Sequence, residues 1–420
     1  MKDIVEIIKA KCPEYKVVEV TKRAHELYYV GNKVETERAT ETMSTRITVY
    51  VHGEDGSMGD SAFPVYASMD EAAVEAAVDR AIERAKLVHN QPYALAEGGV
   101  ETHEIPSVIA DMRGQDVARI AAQAVTAAEI PEGGSINATE IFVVSETTRV
   151  RLSTGLDKTQ TTHHVAIEAI PTHTDDRESV ELYEWYESND LNPEDITAEI
   201  GDKMREVQAR HAAVKGEAQV VDIALRAKEI ADVAEYLTDE LSYESLYRKA
   251  NAFAVGDDLQ AGRTGDPLTI TMTNAVKGSR FSSAFDEDGV NLRPRTVIEQ
   301  GKAVATWGSS RFGQYVGEAE PSGRLRCIEV ASGTLEQTPE RYLECVSLSG
   351  IQLDVYNDYI GGEIRLAYLH EGDKVTPVTG ISMSAQLSKV LPSLRLTANK
   401  VSHGNYRGPS LLFLRDVQIV

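Results

Sequence analysis

Histidine followed by glutamate is the pair from which many zinc peptidases build a site, and "YLHEGDKV" (Tyr368 to Val375) contains one. The chemistry needs HExxH on a helix, because residues four apart share a face and both imidazoles then reach one metal ion. Here Lys374 stands four residues after His370, and Val375 follows it. The surrounding "GEIRLAYLHEGDKVTPV" alternates apolar and polar residues as a strand does, with Gly372–Asp373 placed as a hairpin turn. His370–Glu371 therefore reads as a strand end.

Other candidates are weaker. His163 and His164 adjoin in a predicted strand, so their rings should point to opposite faces. His173 with Asp175 and Asp176 places metal-capable atoms on a loop, but a metal needs three or four convergent ligands and no spacing here enforces that. There is no GxSxG elbow, no GxxxxGK[ST] and no GxGxxG, which removes the usual serine-hydrolase and phosphate-cradle signatures. Cys12, Cys327 and Cys345 are odd in number and far apart, against a disulfide framework or a CxxC zinc knuckle.

Composition narrows the class. The chain has 420 residues, 42% hydrophobic and 26% charged, enough for two domains with real cores. Its 43 basic and 66 acidic side chains leave a net charge of −23, the wrong sign for a protein that displaces counterions from DNA. Nucleic acid and membrane are not expected partners. The start, "MKDIVEIIKAKC", reads as an amphipathic helix rather than a signal peptide, and a cytoplasmic location is expected.

The elements that must position any site follow from periodicity. Alternation from Tyr15 to Phe63, with turn chemistry at "GN" and "EDG", predicts an antiparallel meander. "SMDEAAVEAAVDRAIERAKL" is a helix with a capping box at Ser68 and Glu71 and an apolar face of Val74, Val78, Ala81, Ile82 and Ala85. "DVARIAAQAVTAAEI" is another, and a third opens with Asn192 as cap and Pro193 in first position, running to Gly216. After a strand, "KEIADVAEYLTDELSYESLYRK" reads as one helix, and from about Leu268 strands and turns dominate. The expectation is α+β in two domains: residues 1–216 mixed with an antiparallel sheet, residues 217–420 rich in β-structure.

The second half carries ordered segments: "LYRKANAF", "FSSAFDEDGVNLRPRTVIEQGKAVATWGSSRFGQYVG", "GGEIRLAYLHEGDKVTPVTGISMSAQLSKVL" and "GNYRGPSLLFLRDVQI". With "RITVYVHGEDGSMGDSAF" and "SETTRVRLSTGLDKTQTTHHVAIEA" in the first half, the chain resembles the TldD/PmbA family, the peptidase U62 or "modulator of DNA gyrase" proteins. The resemblance implies two kinds of subunit. TldD-type chains carry HExxxH on a helix opening the C-terminal domain and a cysteine ligand near the C-terminus, and act as zinc peptidases on unfolded or small peptides. TldE/PmbA-type chains lack the motif and pair with them.

An ungapped match on "YRK" sets the motif positions at Tyr236, Leu237 and Leu241, none a zinc ligand or general base. No histidine lies between His211 and His370, and no cysteine follows Cys345. Glu235, Glu240 and Glu244 read as the helix's wet face, since zinc prefers nitrogen or sulfur among its ligands. The resemblance thus implies a non-catalytic TldE/PmbA-like subunit without a metal of its own, the zinc belonging to a TldD-type partner. A heterodimer with that partner, a homodimer, or both are expected, with an unfolded peptide as substrate of the complex. Tyr247, Arg248, Lys249 and His403 are the expected peptide or partner contacts; the plainer reading packs Tyr247 in the core and leaves the two cations at the surface. Two alternatives stay open: a stand-alone hydrolase with ligands moved to residues such as His163, His173 and His403, and a protein-binding modulator acting on gyrase.

Overall fold

Alternating residues in the first third form long strands. β1 (Glu14–Val30) turns at Gly31, where φ is +55°, into β2 (Lys33–His52), and a second turn with Gly56 at φ +80° leads to β3 (Met58–Val65). The computed structural model describes residues 4–420. Ahead of the meander lies α1 (Ile4–Lys9); the first three residues of the predicted N-terminal helix lie outside the described residues.

Helix α2 (Glu71–Ala85) starts later than the capping box implies. The side chain of Asp70, not Ser68, accepts from the N–H of Ala73 at 2.8 Å, because Asp70 stands directly before the first helical residue. Its buried face is Val74, Ala77, Val78, Ala81 and Ala85, with Ile82 only half-buried. β4 (Val100–Glu104), α3 (Gly114–Thr126), β5 (Gly134–Leu152), β6 (Asp157–Thr174), β7 (Ser179–Glu181) and β8 (Glu184–Ser188) follow. The strands form one sheet in the order β3-β2-β1-β5-β6-β4, with β7 and β8 also paired to β6. Helix α4 (Pro193–Ala212) opens as expected, Asn192 accepting from the N–H of Glu194, but ends short of Gly216. Val214–Lys215 instead form β9, which joins a sheet of the second half.

β1 contributes Tyr15, Val17 and Leu27, an even number of residues apart, to cores under α2 and α3. The other face carries Val18, Val150 and Leu152 and receives Phe285 of the second half. The first sheet is thus covered by helices on one side and by the second half on the other.

The second half comprises β10 (Gln219–Arg226), α5 (Ala227–Asp239), α6 (Tyr243–Arg248), β11 (Ile270–Thr273), β12 (Arg295–Glu299), β13 (Lys302–Ala303), α7 (Ser310–Tyr315) and β14 (Cys327–Val330). After these come β15 (Arg341–Asp354), β16 (Tyr359–Glu371), β17 (Lys374–Thr379), β18 (Ile381–Ala385), α8 (Leu387–Ser393), β19 (Arg395–Leu396), β20 (Lys400–His403), β21 (Tyr406–Pro409) and β22 (Leu411–Ile419). One sheet runs β15-β10-β22-β18-β16-β17-β9, and β15 also pairs with β16, so five strands close on themselves. The other runs β13-β12-β11-β14-β21-β20. The architecture is α+β, strand-rich in this half, as the sequence predicts.

The helix predicted as one piece from Lys228 to Lys249 is two. Leu241 buries completely and Ser242 takes extended backbone, its hydroxyl capping α6 through the N–H of Ser245, while the Tyr243 N–H donates to the Trp307 carbonyl at 2.7 Å. That break bends the chain around the mouth of a cavity. Among the described residues no helix is long and apolar enough to cross a membrane.

Candidate functional site

α5 is amphipathic because Ile230, Val233, Ala234 and Leu237 recur on one side, and that side packs into the core of the second half. The opposite side, Lys228, Ala231, Asp232, Glu235 and Asp239, lines a cavity of about 720 Å³. This volume is in the range of small-ligand pockets. Ser242, Glu244 and Arg248 continue the lining along α6, and Arg324 and Arg326 enter from the segment before β14. His403 closes it at the end of β20, and Glu187 reaches in from β8 of the first half. The cavity is therefore a joint product of both halves.

Its charges are unevenly settled. Arg248 pairs with Glu244 at 2.7 Å, and Arg324 lies between Glu244 and Glu287 at 4.0 and 3.7 Å. The Arg326 guanidinium sits 4.5 Å over the Phe281 ring. Glu187 is held by Arg280 at 2.6 Å and by the Trp185 indole N–H at 2.8 Å. Burial, then the nearby Glu235 and Glu240, pushes the Asp239 carboxyl up to about 6. Burial raises Asp232 as well and lowers the His403 imidazole. Such a lining can hold the charged and polar groups of a ligand between carboxylates and guanidinium groups.

The expected site residues divide. Arg248 and His403 line the cavity. Tyr247 does not bury; 43% exposed, it leans on Phe312 and Tyr315 with ring centroids 5.6 and 5.0 Å away. Lys249 ends α6 in the left-handed conformation, φ +55°, a backbone role. Of the positions matched to the motif, Leu237 and Leu241 are fully buried and Tyr236 is exposed. Sequence reasoning missed Asp232 and Asp239; their three- and four-residue spacing with Lys228 and Glu235 was the available signal. Glu240, read as part of the wet face, accepts the Ala252 N–H instead.

The remaining histidines stand apart. His370 ends β16 as expected, its ring stacked on Tyr342 at 4.2 Å, while Glu371 meets Arg341 at 3.3 Å. His163 buries on β6 near Glu104 at 3.7 Å. Its neighbour His164 is pushed down to about 4 by burial and then by Arg280. His173 packs on His211 with centroids 4.6 Å apart, and His211 meets Asp175 at 3.1 Å. His163, His173 and His403 belong to three different surroundings, so the relocated-ligand arrangement does not form. Among the described residues, no three His, Cys, Asp or Glu side chains gather so as to hold a metal ion. All three cysteines are buried, and burial raises each thiol above its usual value, the opposite of an activated nucleophile.

Residues 218–420 match the family described as PmbA/TldA metallopeptidase C-terminal domain. Among solved structures, TldE from Thermococcus kodakarensis superposes with a TM-score of 0.83 at 16% identity, covering 100% of this chain and 99% of that one. A protein from Thermotoga maritima, named as a candidate modulator of a DNA gyrase, gives 0.78 at 14%, covering 99% and 98%. One from Bacteroides thetaiotaomicron, named likewise, gives 0.80 at 13%, covering 99% and 97%. No curated protein matches the chain by sequence. At such identities the superpositions establish the fold, and the family match adds kinship for the second half: residues 218–420 are a PmbA/TldA-type C-terminal domain.

Proposed function

We propose that this chain is the non-catalytic, TldE-like subunit of a zinc metallopeptidase complex that acts on unfolded or small peptides. It pairs with a TldD-type paralogue, with itself, or with both, in the cytoplasm. One observation carries the reading: the cavity side of α5 offers zinc only carboxylates, and the residues matched to the family's metal motif are two core leucines and a tyrosine. Zinc in peptidase sites draws on imidazole or thiolate together with a general base, a set this helix does not provide.

The subunit's part is then grip and enclosure. Arg248 and His403 would meet peptide within the cavity, and Tyr247 with Lys249 would meet peptide or partner at its rim. Free strand edges in the second half suit an extended chain, because main-chain hydrogen bonding is largely blind to side-chain identity.

The test is zinc content and peptidase activity of the purified chain, with and without a TldD-type subunit. Cleavage should require the partner and zinc should track it. Stoichiometric zinc with peptide cleavage by this chain alone would sink the proposal. Affinity capture from its own cytoplasm should recover a TldD-like chain; recovery of gyrase instead would favour the modulator reading.

A further inference from the structure

A second groove, of about 510 Å³, lies on the helix-covered face of the first sheet and is built by the first half alone. Strand register determines what it contains. Glu41 of β2 faces Arg23 of β1, Arg23 faces Ser145 of β5, and Ser145 faces His163 of β6. Directly opposed residues share a face, so these four side chains form one row across four strands. The neighbouring row is Ala39, His25 and Val143. Over it comes the start of α3: a Cβ added at Gly114 would stand 2.9 Å from the Cβ of His25, so glycine is what lets the helix end approach so closely.

Two independent observations mark this groove as a ligand site. α3 has thirteen residues, and its cap residue Arg113 makes no side-chain cap, its guanidinium being turned to Asp116. First-turn N–H groups not met by a cap, at the positive end of a helix dipole, favour an anion. Separately, His163 lines the same groove with its side chain more than nine-tenths buried, and its Nε2 has no hydrogen-bond partner. The nearest carboxylate, Glu104, stands at 3.7 Å, beyond hydrogen-bonding distance. A buried imidazole without a partner costs free energy that a ligand can return.

The charge of the ligand follows from what is already neutralised. Arg23 pairs with Glu41 at 3.2 Å, and His25 meets Glu37 at 3.0 Å, which also accepts from Gln115 at 2.9 Å. What the groove offers an anion is a helix end worth about half a unit charge and the His163 imidazole, with the Glu37 and Glu104 carboxylates standing beside them, which leaves room for one negative charge rather than two. The other walls, Ile109, Met112 and Val143, are apolar. We propose that the groove binds a small monocarboxylate with an apolar body, the carboxylate at the α3 N-terminus within reach of His163 and Ser145.

Calorimetry on the full chain in carboxylate-free buffer tests this with hexanoate, hexanamide and hexylphosphonate as probes. Hexanoate should bind at one site per chain, with hexanamide weaker by about tenfold or more, the worth of a charge-assisted hydrogen bond. His163→Phe and Ser145→Ala should each weaken hexanoate and leave hexanamide unchanged. Equal affinity for acid and amide, tighter binding of the phosphonate, or no binding at all would overturn the assignment. If His163→Phe does not fold, the three probes on the unaltered chain still decide it. The readout involves neither zinc nor peptide cleavage, so it stands or falls apart from the proposed function.

Discussion

His370 of β16, opposed by Tyr342, meets Glu344 two residues further along β15, Nε2 to Oε2 at 3.0 Å. This carboxylate, and not the adjacent Glu371, meets the imidazole, because neighbours in a strand point to opposite faces. The contact is the end of a chain of ion pairs. Glu344 meets Arg226 at 2.8 Å, Arg226 meets Glu206 at 2.5 Å, Glu206 meets Lys203 at 2.7 Å, and Lys203 meets Glu184 at 3.0 Å. It runs from the closed strands of the second half to β8 of the first.

Arg226 is the link whose loss matters most. Arg226→Met should leave Glu344 and the buried Glu206 short of a cation and destabilise the fold by about 2–3 kcal/mol, less than a fully broken buried pair because Lys203 remains. Urea denaturation would measure it. Adding Glu344→Leu should recover part of the loss, since an apolar pair leaves fewer buried charges to desolvate.

Writing the family motif into the matched positions should fail as metal-site design. The variant Tyr236→His, Leu237→Glu, Leu241→His places a carboxylate and an imidazole where two leucines are fully buried. A loss of more than about 3 kcal/mol is expected. Thermal melting and zinc titration of the purified variant would report a lowered midpoint without tight zinc uptake.

The pair Glu199 and Glu184 should make stability depend on pH. Burial, then the charge and hydrogen bond of Glu184, pushes the Glu199 carboxyl up to about 8. A raised folded value means the native state holds its proton where the unfolded chain has released it. This contribution is therefore fully present below about 4.3 and is lost as pH rises toward 8. Urea midpoints should fall across that window. Glu199→Gln should flatten the fall and be the more stable protein at pH 9.

Gln314 fastens α7 to the first half by donating to the Ala94 carbonyl at 2.9 Å and accepting the Ala94 N–H at 2.8 Å. Gln314→Ala should cost about 1–2 kcal/mol for the two bonds. It should also speed proteolytic cleavage near residues 91–94, measurable by limited digestion and mass spectrometry.

Local pattern was enough for the longer strands and for the existence of α2, α3 and α4, but it ran α5 and α6 into one helix and left α7 and α8 unseen. The alternation around His370 identified β16 and its turn at Gly372, and Asn192–Pro193 marked the start of α4, because both signals are written in neighbouring residues. The match on "YRK" located the helix that faces the cavity but not the side of it that does so. Which face of α5 turns inward is decided by Ile230 and Leu237 finding a core made of strands far away in sequence.

The sequence by itself determined the strand-rich class, the absence of an HExxxH motif and the family likeness, since these are matters of residue type and order. Only the tertiary structure decided which carboxylates share a cavity with His403, and that Arg23, Ser145 and His163 stand in one row beside the one that the start of α3 covers. Arg23 and Ser145 pair across more than a hundred residues of chain, and His403 reaches α5 across still more, so no local spacing encodes either meeting.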